Sequence, residues 1–158
     1  MTSARLPILA IAAAVWVLDQ FSKQLAQVGL ADGPIRLIGS FLQLRLTSNS
    51  GAAFSFGAST TWIFTLLASA IVVGIIWKAN EVAHIAWIFG VGGLLGGALG
   101  NLTDRLFRSP GFPEGHVVDF IALPNFPIFN VADIFITCSV ALMFWLSFRG
   151  VPWERAND

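Results

Sequence analysis

Apolar residues run along this chain in four long stretches separated by polar breaks. The first, residues 6–27, continues past Asp19 and Lys23, so it spans a bilayer only if those two side chains are tolerated there. The second, residues 58–77, carries no charge and is bounded by Lys78. The third, residues 83–104, follows the polar connection Lys78-Ala79-Asn80-Glu81 and stops at Asp104 and Arg105. The fourth, residues 128–148, begins after a Pro-rich segment, holds Asp133 near its start and is closed by Arg149. A helix needs roughly 20 apolar residues to cross a membrane, so the pattern predicts four spans in one domain covering residues 1–158. Trp62, Trp77, Trp87, Trp145 and Trp153 lie near the proposed ends, where interfacial aromatic belts form. A cleaved leader is the other reading of the N-terminus, since Arg5 precedes an alanine-rich core. The i, i+4 spacing of Asp19 and Lys23, which turns both to one side, favours a retained span.

Two connections, residues 31–60 and 106–128, are not membrane-like and fall on the same side of the bilayer. Near alternation from Phe41 to Leu46 predicts short strands on the membrane surface. Pro110, Pro113, Pro124 and Pro127 predict loop in the second connection. The expected fold is an all-α membrane protein: a four-transmembrane-helix bundle with a small β-rich surface segment between spans one and two.

Composition agrees. Of 158 residues 56% are hydrophobic and 11% charged, against about 25% charged in a soluble domain, and mean hydropathy is +0.75. Net charge is zero with no basic run, so nucleic acid is not an expected partner. The lone cysteine, Cys138, excludes an internal disulfide and reads as a small buried apolar residue. One Cys with His84 and His116 is too small a set for a structural zinc site, and neither a metal nor another cofactor is expected. Setting Lys23 and Arg105 aside as site residues leaves four basic residues on the termini side (Arg5, Lys78, Arg149, Arg155). Three remain on the loop side (Arg36, Arg45, Arg108), a count that favours termini inside.

Four antiparallel spans bring the end of span one, the start of two, the end of three and the start of four to one face. Asp19, Lys23, Asn49, Asn101, Asp104, Arg105, Asp119, Asn130 and Asp133 all fall there, which predicts a site in or at the membrane. Gly92, Gly93, Gly96, Gly97 and Gly100 form overlapping small-xxx-small patterns, expected on one face of span three for close helix approach. The best-supplied chemistry is the pair Asp119 and Asp133. Two like charges at close range cannot both ionise, so one carboxylate is base and the other acid toward a peptide bond. Metal hydrolysis through His116, Asp119 and further carboxylates has no usual ligand spacing. A transporter with a proton-relay carboxylate and a non-catalytic scaffold stay open on spacing alone. Asp104 beside Arg105 reads as a structural charge pair, and Asn101 with Asn130 as groups that satisfy each other.

Five motifs occur in order: Leu18-Asp19-Gln20-Phe21-Ser22-Lys23; Asn49-Ser50-Gly51-Ala52-Ala53-Phe54-Ser55-Phe56; Gly96-Gly97-Ala98-Leu99-Gly100-Asn101-Leu102-Thr103-Asp104-Arg105; Gly115-His116-Val117-Val118-Asp119-Phe120; and Phe129-Asn130-Val131-Ala132-Asp133. In this order they resemble the lipoprotein signal peptidases (signal peptidase II) over nearly the whole chain. The resemblance implies an aspartic endopeptidase of the bacterial cytoplasmic (inner) membrane. Such an enzyme removes the signal peptide of a diacylglyceryl-modified prolipoprotein by cutting before the lipid-modified cysteine. It implies Asp119 and Asp133 as the catalytic pair. Asn101 and Arg105 would hold substrate backbone or the cyclic-peptide inhibitor globomycin, while Asp19, Lys23, Asn49, Gly51 and Asn130 would shape the site and Asp104 support it. It also implies cytoplasmic termini with the site and the β-rich segment outside, and membrane lipid as a partner. Ser50 stands where the family commonly has threonine, and the 14 residues from Asp119 to Asp133 are a short interval. Part of residues 31–60 is expected to act as a mobile cover.

Overall fold

The structure is a computed structural model, and it describes residues 4–51 and 61–154. Four helices carry the chain: α1 (Arg5–Gly29), α2 (Thr61–Lys78), α3 (Ile85–Phe107) and α4 (Val131–Phe148). A 3-10 turn, Ala79–Glu81, follows α2 directly. Each helix, α2 taken with that turn, is long and apolar enough to cross a membrane. The expected second span begins three residues before α2, and residues 58–60 lie outside the described part. Large apolar side chains such as Phe21, Leu66, Val73, Phe144 and Phe148 face outward, while Asp19, Lys23, Asp104 and Asn130 are buried. Apolar outside and polar inside is the arrangement a lipid solvent imposes.

α3 is the central helix, packed mainly against α1 and α4 and less extensively against α2. Its glycines do not share one face, as the sequence pattern suggested. A Cβ on Gly92 or Gly96 would strike Ile11 or Val15 of α1, whereas one on Gly97 would strike the Ala132 carbonyl of α4. Offset by one residue, the two small-residue rows point about 100° apart, so α3 is approached closely from two sides at once. On α1 the buried residues Ile8, Ala12, Val15, Asp19, Lys23 and Ala26 recur every three or four positions, one stripe that begins apolar and ends ionic.

The surface segment is a three-stranded antiparallel sheet in the order β1 (Ile35–Ile38), β2 (Leu42–Asn49), β3 (Val117–Ala122). β2 meets the expectation for Phe41 to Leu46 and runs on to Asn49, and β1 falls in the same expected β-rich segment. β3 does not: it lies in the connection expected to be loop from its prolines. Pro113 and Pro124 flank the run Val-Val-Asp-Phe-Ile-Ala without interrupting it, and prolines outside a strand cost it no ladder hydrogen bond. β2 and β3 pair Thr47 with Asp119 and Asn49 with Val117, and Ile121 bridges Phe129 beyond. Phe120 packs under the sheet on Ala26 of α1 and Leu30 just beyond it, which seats the sheet on the bundle.

Two smaller expectations change. Cys138 is exposed on α4 rather than buried, because α4 turns that side away from α3. Trp87 is buried; its indole donates to the Val151 carbonyl at 3.1 Å and meets Trp153 edge to face at 5.1 Å. These two rings pack the far end of the bundle onto the C-terminal segment rather than joining a belt.

Candidate active site

The sheet-side end of the bundle is built around Lys23. Its ammonium, wholly buried, lies 2.8 Å from Asp19 Oδ2, 2.8 Å from Asp104 Oδ2 and 3.0 Å from Asn101 Oδ1. Three acceptors match the three N–H donors of an ammonium, which is what keeps such a group affordable out of water. Each acceptor extends the network. Asp19 Oδ1 accepts from the Ala132 amide at 2.9 Å and fixes the first turn of α4 against α1. Asp104 Oδ2 accepts from the Val118 amide at 3.1 Å and so holds β3 to α3. Asp104 Oδ1 accepts from Arg108 Nε at 2.6 Å and from Gln20 Nε2 at 3.2 Å.

Asp119 on β3 and Asp133 on α4 are brought together by asparagines. Asn130 caps α4: its Oδ1 accepts from the Asp133 amide at 3.0 Å and its own amide donates to Asp133 Oδ2 at 3.1 Å, a reciprocal capping box. Its Nδ2 donates to Asp119 Oδ1 at 2.6 Å and to Asn101 Oδ1 at 3.1 Å, so this one residue reaches Asp119 through its side chain and Asp133 through its backbone amide. Asn101 Nδ2 donates to Asp133 Oδ1 at 2.8 Å, and Asn49 Nδ2 to Asp119 Oδ2 at 2.8 Å. Every oxygen of the two carboxylates thus accepts one N–H and keeps a second lone pair for a water or substrate.

Asp119 is 1% exposed, and burial, opposed by the Asn49 hydrogen bond and reinforced by the charge of Asp133, pushes its carboxyl up to about 6. A carboxyl at that value can hold or release a proton near neutral pH. A cavity of about 250 Å³ lined in part by Asn49, Ser50, Asp119 and Pro127 opens onto it. Gly51, at φ +88°, turns the chain there. Its amide donates to Asn49 Oδ1 at 2.7 Å, and a Cβ would collide with the Phe64 ring.

Arg105 differs from the charge pair expected of it. Asp104 is taken by Lys23 and Arg108, and the Arg105 guanidinium, on a residue 9% exposed, lies over the Phe64 ring at 5.4 Å. Its Nη1 is buried with no hydrogen-bond partner among the described residues. All ten residues singled out from the sequence therefore fall in this region, and Asn101 with Asn130 do more than satisfy each other. Ala52 to Phe56 of the second motif lie outside the described residues. His116, weighed as a metal ligand with Asp119, instead bonds Ser48 Oγ through Nδ1 at 3.0 Å. Among the described residues no group of three or more His, Cys, Asp or Glu is placed to hold a metal ion.

Sequence reasoning missed Gln20 and Arg108. Gln20 Nε2 donates to Asp19, to Asp104 and to the Gly100 carbonyl. Arg108 stands four residues after Asp104, the i, i+4 spacing that exposed Asp19 and Lys23, and that signal was available.

Residues 11–149 match the family described as Signal peptidase (SPase) II. The lipoprotein signal peptidase of Leifsonia xyli is 46% identical over 149 residues, 92% of this chain and 69% of its own length. That of Streptomyces coelicolor is 47% identical over 145 residues, 91% of this chain and 71% of its own. That of Mycobacterium avium is 43% identical over 151 residues, 95% and 83%. Two solved structures, each described as a bacterial membrane enzyme determined by the in meso method, superpose with a TM-score of 0.77. One is 26% identical and covers 96% of this chain and 93% of its own; the other is 27% identical and covers 90% and 92%. With the fold, the ordered motifs and these similarities in agreement, the chain belongs to the signal peptidase II family, the lipoprotein signal peptidases.

Proposed function

We propose that this protease is an aspartic endopeptidase that cleaves diacylglyceryl-modified prolipoproteins before the lipidated cysteine, with Asp119 and Asp133 as its catalytic pair. The observation that carries the reading is the bridge made by Asn130, whose side-chain amide donates to Asp119 Oδ1 while its backbone amide donates to Asp133 Oδ2, so that one residue holds both carboxylates. In the reaction the ionised member takes a proton from a water as its oxygen attacks the peptide carbonyl. The protonated member then gives its proton to the departing amine as the C–N bond breaks. The pair ends with the proton exchanged between the two carboxyls, and a second transfer resets it.

Arg105 is the group we assign to the substrate backbone or a globomycin-type inhibitor, since its guanidinium lies at the site with Nη1 unpaired among the described residues. Asn101 joins it. The remaining residues, Asp19, Lys23, Asn49, Gly51, Asp104 and Asn130, position the pair. The outward apolar faces suit a lipid-bearing substrate arriving sideways from the bilayer. In our reading the protein is one domain of the bacterial inner membrane, its termini are cytoplasmic and the site faces outward.

The test is cleavage of a diacylglyceryl-modified prolipoprotein peptide by detergent-purified protein. Asp119→Asn and Asp133→Asn should each lower the rate on the order of 10³-fold with helix content unchanged, and a metal chelator should change nothing. Retained cleavage in either variant, or sensitivity to chelator, overturns the dyad.

A further inference from the structure

On the reverse side of the β2–β3 ribbon lies a second and larger cavity, about 580 Å³, that the site described above does not use. It is lined by Arg108, His116, Ser48, Ser109 and Gln27, with Phe107 at its edge. Arg108 is held rigidly: Nε donates to Asp104 Oδ1 at 2.6 Å and Nη1 to Gln27 Oε1 at 2.7 Å. Those bonds occupy two of its five N–H donors and leave the others without a partner among the described residues. Asp104 is wholly buried behind the guanidinium, which is itself 24% exposed, so an entering ligand meets the cation first. His116 is engaged through Nδ1 with Ser48, which leaves Nε2 unpartnered among the described residues. Among the described residues no acidic side chain lines the cavity.

A fixed guanidinium, the Ser109 hydroxyl and one further donor from the hydrogen-bonded His116–Ser48 pair, the Nε2–H when Ser48 donates to Nδ1, make a donor set suited to an oxyanion with several acceptor oxygens. The cavity's position selects the source. It opens where α1 and α3 end, beside Val28 and Phe107, which are 71% and 80% exposed and continue the outward apolar surface of the helices. This is the layer in which a bilayer presents its headgroups. We propose that the cavity binds the phosphodiester headgroup of an anionic membrane phospholipid. A choline headgroup fits poorly, because its cation would meet Arg108 with no carboxylate lining the cavity to receive it. The bound lipid would sit one hydrogen bond from Asp104, and through Asp104 two from the Val118 amide of β3.

The test reads binding directly and so stands apart from the peptidase reading. Native mass spectrometry of the full chain in neutral detergent would compare phosphatidylglycerol, phosphatidylcholine and soluble glycerol 3-phosphate. Phosphatidylglycerol should be retained about tenfold more tightly than phosphatidylcholine, and soluble glycerol 3-phosphate weakly, because it lacks the apolar anchor. Arg108→Gln should abolish the preference. Ser109→Glu adds a repelling charge at the rim without removing a bond, so it decides the matter if Arg108→Gln fails to fold, and it should also abolish the preference. Equal retention of the two lipids by the parent overturns the proposal. So does tight binding of soluble glycerol 3-phosphate, or an undiminished preference in a folded Ser109→Glu variant.

Discussion

Two cations are buried at the same polar end of the bundle, and they are used in opposite ways. Lys23, on the α1–α3–α4 side, has an acceptor for each of its donors and ties α1 to α3 through Asp19, Asp104 and Asn101, while Asp19 reaches on to the Ala132 amide of α4. Arg105, on the side facing α2, rests on the Phe64 ring and keeps Nη1 unpaired among the described residues. An unpaired buried donor costs free energy in the empty protein, and proteins retain such a cost where a ligand later removes it. On the proposed function, the comparison therefore separates a wall that is complete without substrate from one that substrate would complete. Substitutions on the two sides should sort by stability on one and by substrate affinity on the other.

The largest effect is expected at Lys23. Lys23→Met keeps much of the volume but leaves Asp19 and Asp104 facing each other without the ammonium between them. Breaking a buried ion pair by removing one partner costs about 3–5 kcal/mol. Thermal unfolding of the detergent-purified variant should show a large fall in Tm, with the α1–α4 contact at Ala132 loosened first. A Tm close to that of the parent would mean that the network around Lys23 is not what holds this wall.

Next comes the pH dependence of Asp119. Its folded carboxyl sits at about 6 against 3.8 for an ordinary aspartate. A carboxyl raised on folding stabilises the protein fully below its unfolded value and loses that contribution as pH rises through the folded one. Relative to Asp119→Asn, the parent should therefore lose about 2 kcal/mol between pH 4 and pH 7.5. Parallel Tm profiles for the two proteins across that range would show that burial does not dominate at Asp119.

Much of the complete wall was legible in the sequence, and the reason is helical geometry. Asp19 and Lys23 are four residues apart in an apolar stretch, Asn101 and Asp104 three apart at the end of another, so periodicity alone placed them side by side. The partner of Asp104 was misread because Arg105 is its neighbour in sequence. Consecutive helical residues point about 100° apart, and the carboxylate meets Arg108 and Lys23 instead. β3 was hidden because its pairing partner, β2, lies some 70 residues earlier, and a six-residue apolar run between prolines carries no periodic signal of its own. The glycine rows of α3 looked like one face because Gly92–Gly93 and Gly96–Gly97 are doublets. Only the packing of α1 and α4 shows that each doublet serves two neighbours.

Asn49 stands at the seam between the two walls. It donates to Asp119 Oδ2 and accepts from the Gly51 amide, so Asn49→Ala removes one bond that favours the ionised carboxylate. The expected cost is about 1 kcal/mol in stability, and the Asp119 carboxyl should move further upward. The limb of the kcat/KM profile that Asp119 sets should shift to higher pH with it. A profile unmoved by the substitution would place the titration that governs cleavage elsewhere than Asp119.

The smallest effect on stability is expected at Arg105, and it is the sharpest use of the comparison. Arg105→Gln gives up a cation–ring contact worth about 0.5–1 kcal/mol and at the same time removes a buried donor that had no acceptor, two changes of opposite sign. Tm should consequently stay near that of the parent. Cleavage should fall about 10-fold to 100-fold, carried mainly by KM, because a group that meets substrate backbone away from the carboxylates contributes to binding in ground and transition states alike. Arg105→Lys keeps the charge but not the planar fork, and should recover only part of the loss. If Arg105→Gln instead lowers Tm as far as Lys23→Met does, both cations are structural and the open wall is closed by something other than substrate. If it lowers kcat with KM unchanged, the guanidinium acts on the reacting atoms themselves, and Arg105 belongs with Asp119 and Asp133 rather than opposite them.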